Sequence, residues 1–222
     1  LVPYGLILLL IVGLMMLEPH MSGTILILAG AAAVLFAAGI KLYWFAGGGA
    51  ALMGLVVLMM SGYQSTRILV WQDPWAYPRD GGYQIIQSLY AIGSGGLLGL
   101  GLGKSRQKFL YLPEPENDFI FAIVCEELGL IGATLIMAIF ALLIIRGYWI
   151  ALHARDRFGS LLVVGITTQI ALQVFLNIAV VTNLVPNTGI SLPFFSFGGT
   201  ALAIQLAEMG VVLSVSRQMP PG

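Results

Sequence analysis

Charge is what this sequence has least of. Asp, Glu, Lys and Arg make up 9% of its 222 residues, and ten acidic groups balance ten basic ones. Soluble domains carry about 25% charged residues, so a water-soluble globular fold is excluded. Disorder is excluded as well, because it needs high charge with low hydrophobicity. The balance of charge gives no bulk attraction to nucleic acid or to an acidic ligand. Cysteine occurs once, at Cys125, which rules out an internal disulfide and a thiolate metal cage. The two histidines, His20 and His153, have no companion at metal-ligand spacing. Neither a start methionine nor a basic leader precedes the first apolar run. The chain is therefore expected to be a fragment of a longer protein, a single transmembrane domain over 1–222, rather than a signal peptide with its mature domain.

Apolar residues are what it has in excess, at 59% of the chain with a mean hydropathy of +0.95. A spanning helix needs about 20 mostly apolar residues. Six stretches meet or approach that length: Tyr4–Leu17, Thr24–Ile40, Leu42–Met60, Phe119–Ile145, Gly159–Val185 and Phe194–Val215. The expected fold is an all-α polytopic membrane bundle of six transmembrane helices with a large extracellular loop over 61–118. Cations in short loops mark the cytoplasmic side. Lys41, then Arg146, Arg155 and Arg157, then Arg217 fall in three loops on one side, whereas 18–23 and 186–193 contain no Lys or Arg. Tyr43 and Trp44, like Tyr148 and Trp149, sit beside these cations as interfacial aromatics do.

The interval Ser61–Asp118 is too long for a plain connector. Within it, Tyr83–Leu98 reads as an amphipathic helix, with Gln84, Gln87 and Ser88 on one face and Ile85, Leu89 and Ile92 on the other. Such a helix lies in the interface or dips back into the membrane. Six glycines between Gly93 and Gly103 follow, and then the cations Lys104, Arg106 and Lys108. The run Gly99-Leu-Gly-Leu-Gly-Lys-Ser105 is not a nucleotide loop, since the first glycine of that motif falls on Leu98. The basic strip suits either a lipid pyrophosphate or ordinary headgroups.

Asp118 is the most informative acid. It stands at the outer mouth of the fourth crossing, where a carboxylate either caps the helix or, partly desolvated, accepts a proton from a hydroxyl. Glu114 and Glu116 place like charge nearby. Glu126 and Glu127 lie about 12–14 Å into the crossing at about 1.5 Å per residue, and Glu208 is similarly placed in the sixth. Charges at that depth mark a polar interior. Gln169, Gln173 and Asn177 form a polar stripe, for which hydrogen bonding between helices is the ordinary explanation. Ser196 lacks the glycine of a hydrolase elbow.

Longer words carry a resemblance. Gly82-Tyr-Gln-Ile-Ile-Gln-Ser88, Gly101-Leu-Gly-Lys-Ser-Arg-Gln-Lys108, Tyr111-Leu-Pro-Glu-Pro-Glu-Asn-Asp-Phe-Ile-Phe-Ala122, Cys125-Glu-Glu-Leu-Gly-Leu-Ile-Gly132 and Leu192-Pro-Phe-Phe-Ser-Phe-Gly-Gly-Thr200 occur in this order. Together they resemble the SEDS family (shape, elongation, division and sporulation), most closely its FtsW and SpoVE branch, with RodA nearby. The resemblance implies the second part of a ten-helix fold, at the bacterial cytoplasmic membrane with the active site facing outward. It further implies a peptidoglycan glycosyltransferase that polymerises lipid II by inverting transfer. On the matching motif, Asp118 is then the catalytic base. Lys108, Arg67, Lys104 and Arg106 are candidates to stabilise the departing undecaprenyl pyrophosphate, with Mg or Mn as a divalent ion that could share the work. Gln84, Gln87 and Ser88 are candidates to hold sugar or peptide, and Glu18, Glu114 and Ser196 to line the cavity. The implied partners are lipid II, membrane lipids and a class B penicillin-binding protein, the transpeptidase.

Two rival readings remain beside it. A flippase for lipid-linked precursors would need polar groups through the whole membrane depth, where a polymerase needs them outside. An inactive fragment would only bind a division partner.

Overall fold

A computed structural model of the chain describes residues 2–17, 21–41, 43–45, 47–48, 62–79, 81–110, 112 and 116–219. Among these residues the only regular structure is helix. In chain order the elements are α1 (Val2–Leu17), α2 (Met21–Ala37), α3 (Gly62–Gln72), a 3₁₀ turn (Pro74–Ala76), α4 (Gly82–Gly95), α5 (Gln107–Leu110), α6 (Ile120–Leu152), α7 (Arg157–Val181) and α8 (Gly199–Arg217). Three of them, α6, α7 and α8, are long and apolar enough to cross a membrane. The helices α1 and α2, of 16 and 17 residues, fall just short. The third expected crossing, Leu42–Met60, lies largely outside the described residues, so the count of six is not established by these helices.

The cationic loops meet at one end of the bundle. Asp156 caps α7 by accepting from the Gly159 amide at 2.8 Å, as an N-cap carboxylate should. Beside it, the Arg157 guanidinium donates to Ala38 O at 2.7 Å, which ties the end of α2 to the start of α7. Arg146 lies over the Trp149 ring at 4.1 Å. The end of α8 joins the same place, because Ile150, Ala151, Val163 and Val212 form one buried cluster. Along the bundle, Gly147 lets Thr167 approach α6 closely, and the Tyr148 and Thr168 hydroxyls share a hydrogen bond of 2.9 Å. Small residues and interhelical hydrogen bonds of this kind hold helices together where lipid removes the hydrophobic drive.

The larger core starts at the opposite end and follows α6 as far as Phe140. Phe119, Phe121, Ala122 and Cys125 of α6 and its lead-in pack with Ile170, Val174, Val180 and Val181 of α7, with Ala91 of α4, and with Leu112 and Leu192 from loops. Fully burying a residue such as Phe119 contributes about 1.5–3 kcal/mol where water is the alternative.

Helix α6 is broken at Gly129, which has φ 66° and ψ −168°. The backbone groups released there are taken up by the glycine-rich loop after α4. Leu130 N donates to Gly96 O at 2.9 Å and Ile131 N to Leu97 O at 3.2 Å. In return Leu100 N donates to Glu126 O at 2.9 Å and Gly101 N to Glu127 O at 3.0 Å. The two backbones pass so closely that a Cβ on Gly129 would strike Gly99 N and Leu97 O. The left-handed φ and this clash both require glycine. At about 1.5 Å per residue, the loop reaches about 14 Å along α6 from its start.

Candidate functional site

Beyond the larger core, three segments converge: residues 116–119 leading into α6, residues 182–198 between α7 and α8, and residues 104–108, which run into the start of α5. Asp118 stands just before α6, half-buried. The capping position of that helix is Phe119, with no side-chain cap bond, so Asp118 is not the N-cap that a carboxylate at a helix start suggests. Its backbone carbonyl accepts from Asn177 Nδ2 at 2.7 Å, and the same nitrogen donates to Ile190 O at 2.7 Å. Its Oδ2 faces Gly189, where an added Cβ would lie 3.3 Å away. One amide on α7 thus holds both the segment carrying Asp118 and the loop opposite it.

Ser196 stitches that loop to the same segment. Its hydroxyl donates to Asn117 O at 2.6 Å and accepts from Leu192 N at 2.7 Å, while Phe197 N donates to Glu116 O at 2.7 Å. Arg67 donates from Nη1 to Asn187 O at 3.1 Å. Asn187 also donates to Gln84 Oε1 at 3.4 Å and accepts from Gly189 N at 3.1 Å. Arg67 and Gln84 therefore meet on the loop that faces Asp118. Gln87 is half-buried. Ser88 is fully buried and donates to Val181 O at 2.8 Å. It joins α4 to the end of α7, and so turns inward instead of sharing the polar face that its spacing suggested. Glu18 and Glu114 lie outside the described residues.

The basic strip owes its shape to Glu126. This carboxylate is 1% exposed and accepts from the Ser105 hydroxyl, from Arg106 N at 3.1 Å and from Gln107 N at 3.4 Å. Glu127 accepts from Ser105 N at 3.4 Å. The amides that might have cradled a phosphate thus point at internal acids, which leaves the strip its side chains. Lys104 and Arg106 are exposed. Lys108 pairs with Glu116 at 3.6 Å, two residues from Asp118. Among the described residues no three of His, Cys, Asp and Glu come together as metal ligands. They offer no all-protein cage for a divalent ion.

Sequence reasoning missed Asn177 and Gly189 as members of this site. The polar stripe on α7 was the signal for the first, and the loop glycine between Thr188 and Ile190 was a faint one for the second.

Apolar helices with cations gathered at one end, and an acid, an amide and a basic strip at the other, describe a polytopic membrane protein with a polar site at one rim. The family model for cell cycle proteins of the FtsW, RodA and SpoVE group matches residues 1–220, and the chain belongs to this family. It is 51% identical over 206 residues to stage V sporulation protein E of Bacillus subtilis, covering 92% of this chain and 56% of that one. To the probable peptidoglycan glycosyltransferase FtsW of Geobacter sulfurreducens it is 46% identical over 220 residues, with 98% and 59% covered. Among solved structures, one described as "Structural coordination of polymerization and crosslinking by a peptidoglycan synthase complex" superposes with a TM-score of 0.79 at 30% identity, covering 99% of this chain and 62% of that chain. The rod shape determining protein RodA of Thermus thermophilus gives 0.64 at 28% identity, covering 100% and 57%. The chain thus spans less than two thirds of the length of these relatives.

Proposed function

We propose that this chain carries the polymerising site of a peptidoglycan glycosyltransferase that joins lipid II into glycan strands at the outer face of the bacterial cytoplasmic membrane. The observation that carries the reading is the placement of Asp118. It is anchored through its carbonyl by Asn177 and faces Gly189, while Lys108 is paired two residues away at Glu116. A base and a cation brought to one rim suit a reaction that removes a proton and releases an anion.

In the proposed step the Asp118 carboxylate takes the proton of the GlcNAc 4-hydroxyl at one chain end. That oxygen forms a bond to the anomeric carbon of a second chain while the bond from that carbon to pyrophosphate oxygen breaks, with inversion. The electron pair leaves on undecaprenyl pyrophosphate, and Lys108, Lys104 and Arg106 stabilise its charge. Arg67 and Gln84, both on Asn187, border the sugar site, with Gln87 beside them. Ser88 and Ser196 hold the frame. A class B penicillin-binding protein is the proposed partner, which would crosslink the strands made here.

A flippase is less well supported. Glu126 and Glu127, which suggested a polar path at depth, are engaged with residues 105–107, and Asn177 with two backbone carbonyls. The test is reconstitution of the full-length protein with purified lipid II. Asp118→Asn should lower polymerisation by about 10²–10⁴-fold, the range for loss of a general base. Polymer formed at the parent rate by folded Asp118→Asn would overturn the assignment. Lipid II flipping by a parent that forms no polymer would favour the transporter.

A further inference from the structure

We propose that Asn177 and Gly189 are positioning residues for the Asp118 carboxylate, Asn177 by fixing the backbone that carries it and Gly189 by forming the wall it faces. The inference rests on the reading of Asp118 as the base.

Asn177 is fully buried, and both hydrogens of its amide nitrogen are used, one on Asp118 O and one on Ile190 O, each at 2.7 Å. The reverse orientation of the amide would set oxygen against two carbonyl oxygens, so the chemistry leaves one assignment. Among the described residues its Oδ1 is buried with no hydrogen-bond partner. A side chain that only glued helices would not span the lead-in of one helix and a loop nine residues past the end of another. What it fixes is the distance between Asp118 and the 186–190 loop.

Gly189 completes the geometry. Its φ of +69° is left-handed, and a Cβ there would lie 3.3 Å from Asp118 Oδ2. Its amide is held by Asn187 Oδ1 at 3.1 Å, and Asn187 is in turn held by Arg67 and Gln84. Any side chain at 189 occupies the space beside the reacting oxygen. A general base must come within about 2.6–3.2 Å of its proton donor, and a misplacement of about 1 Å can cost about 10²-fold.

The experiment compares the pH dependence of lipid II polymerisation by the full-length parent with that of Gly189→Ala and Asn177→Asp, with Asp118→Asn run beside them. Gly189→Ala should lower kcat about tenfold or more with KM within about threefold. The added methyl desolvates the charged form of Asp118, so the acid limb of the profile should move to higher pH. Charged groups on the neighbouring segments are Glu116 with Lys108 and Arg67. Gly189→Ala adds no titratable group and leaves these in place, so a moved limb in that variant reports on Asp118. Asn177→Asp brings a carboxylate of its own and is read by kcat alone. Asn177→Asp removes both donors without changing size, and should lower kcat further; if it does not fold, Gly189→Ala carries the test. Loss of activity that only follows loss of folded protein, with an unmoved limb, would overturn the inference. Parent-like kcat and pH profile in folded variants, beside an inactive Asp118→Asn, would also overturn it while leaving the base in place. A fully active Asp118→Asn would remove both.

Discussion

Single side chains at the rim act mostly by what they do to backbone. Ser196 serves two backbone groups, Asn117 O and Leu192 N, at 2.6 and 2.7 Å. Ser196→Ala leaves both without that partner, and the cost should be about 1–3 kcal/mol of stability, read as a lower melting temperature of the full-length protein in detergent. Asp118, the proposed base, was singled out by its motif and its place at a helix mouth. Its supports were not, because Asn177 reaches it across 59 positions and no periodicity encodes such a contact. Ser88 shows the opposite failure. Its spacing from Gln84 is correct for one helix face, yet its hydroxyl turns to Val181 O, since a buried hydroxyl needs an acceptor and the end of α7 supplies one.

Among the elements, α6 and α4 are interlocked through backbone alone. At Gly129 the helix ladder is open, and residues 96–101 close it. Gly129→Ala should therefore prevent correct docking of α4, seen as loss of folded protein on size exclusion. Gly93→Ala is the control. That glycine is in α4 with nothing near its missing Cβ, and an exposed helical position gains about 0.5–1 kcal/mol from alanine. Apolar length and loop cations made the long helices and their common cationic end readable. The break was not readable, because a glycine inside an apolar run looks like a packing residue. Its pairing with a second glycine about thirty positions earlier is a matter of main-chain bonds, which leave no side-chain pattern.

For the whole molecule, the arrangement separates two ends. The Arg157–Ala38 contact and the cluster around Ile150 gather one set of loops, and Asp118 with residues 182–198 lies at the other. In the proposed orientation, with the cationic end facing the cytoplasm, an impermeant thiol reagent should label Leu184→Cys from outside intact spheroplasts and should reach His153→Cys only after lysis. Cys125 is buried and adds little background. Labelling of His153→Cys in intact spheroplasts would invert the proposed topology.

The carboxylate of Glu126 beneath the basic strip has a consequence for ionic strength. Amides already answered by an internal acid leave a phosphate only the solvent-facing ammonium and guanidinium groups at 104 and 106, with Lys108 paired to Glu116 beside them. Attraction from such groups is screened over about 8 Å at 0.15 M salt and over about 3 Å at 1 M. Capture of the proposed pyrophosphate-bearing substrate should accordingly weaken several-fold as salt rises across that range, as the KM for lipid II in a salt titration would record.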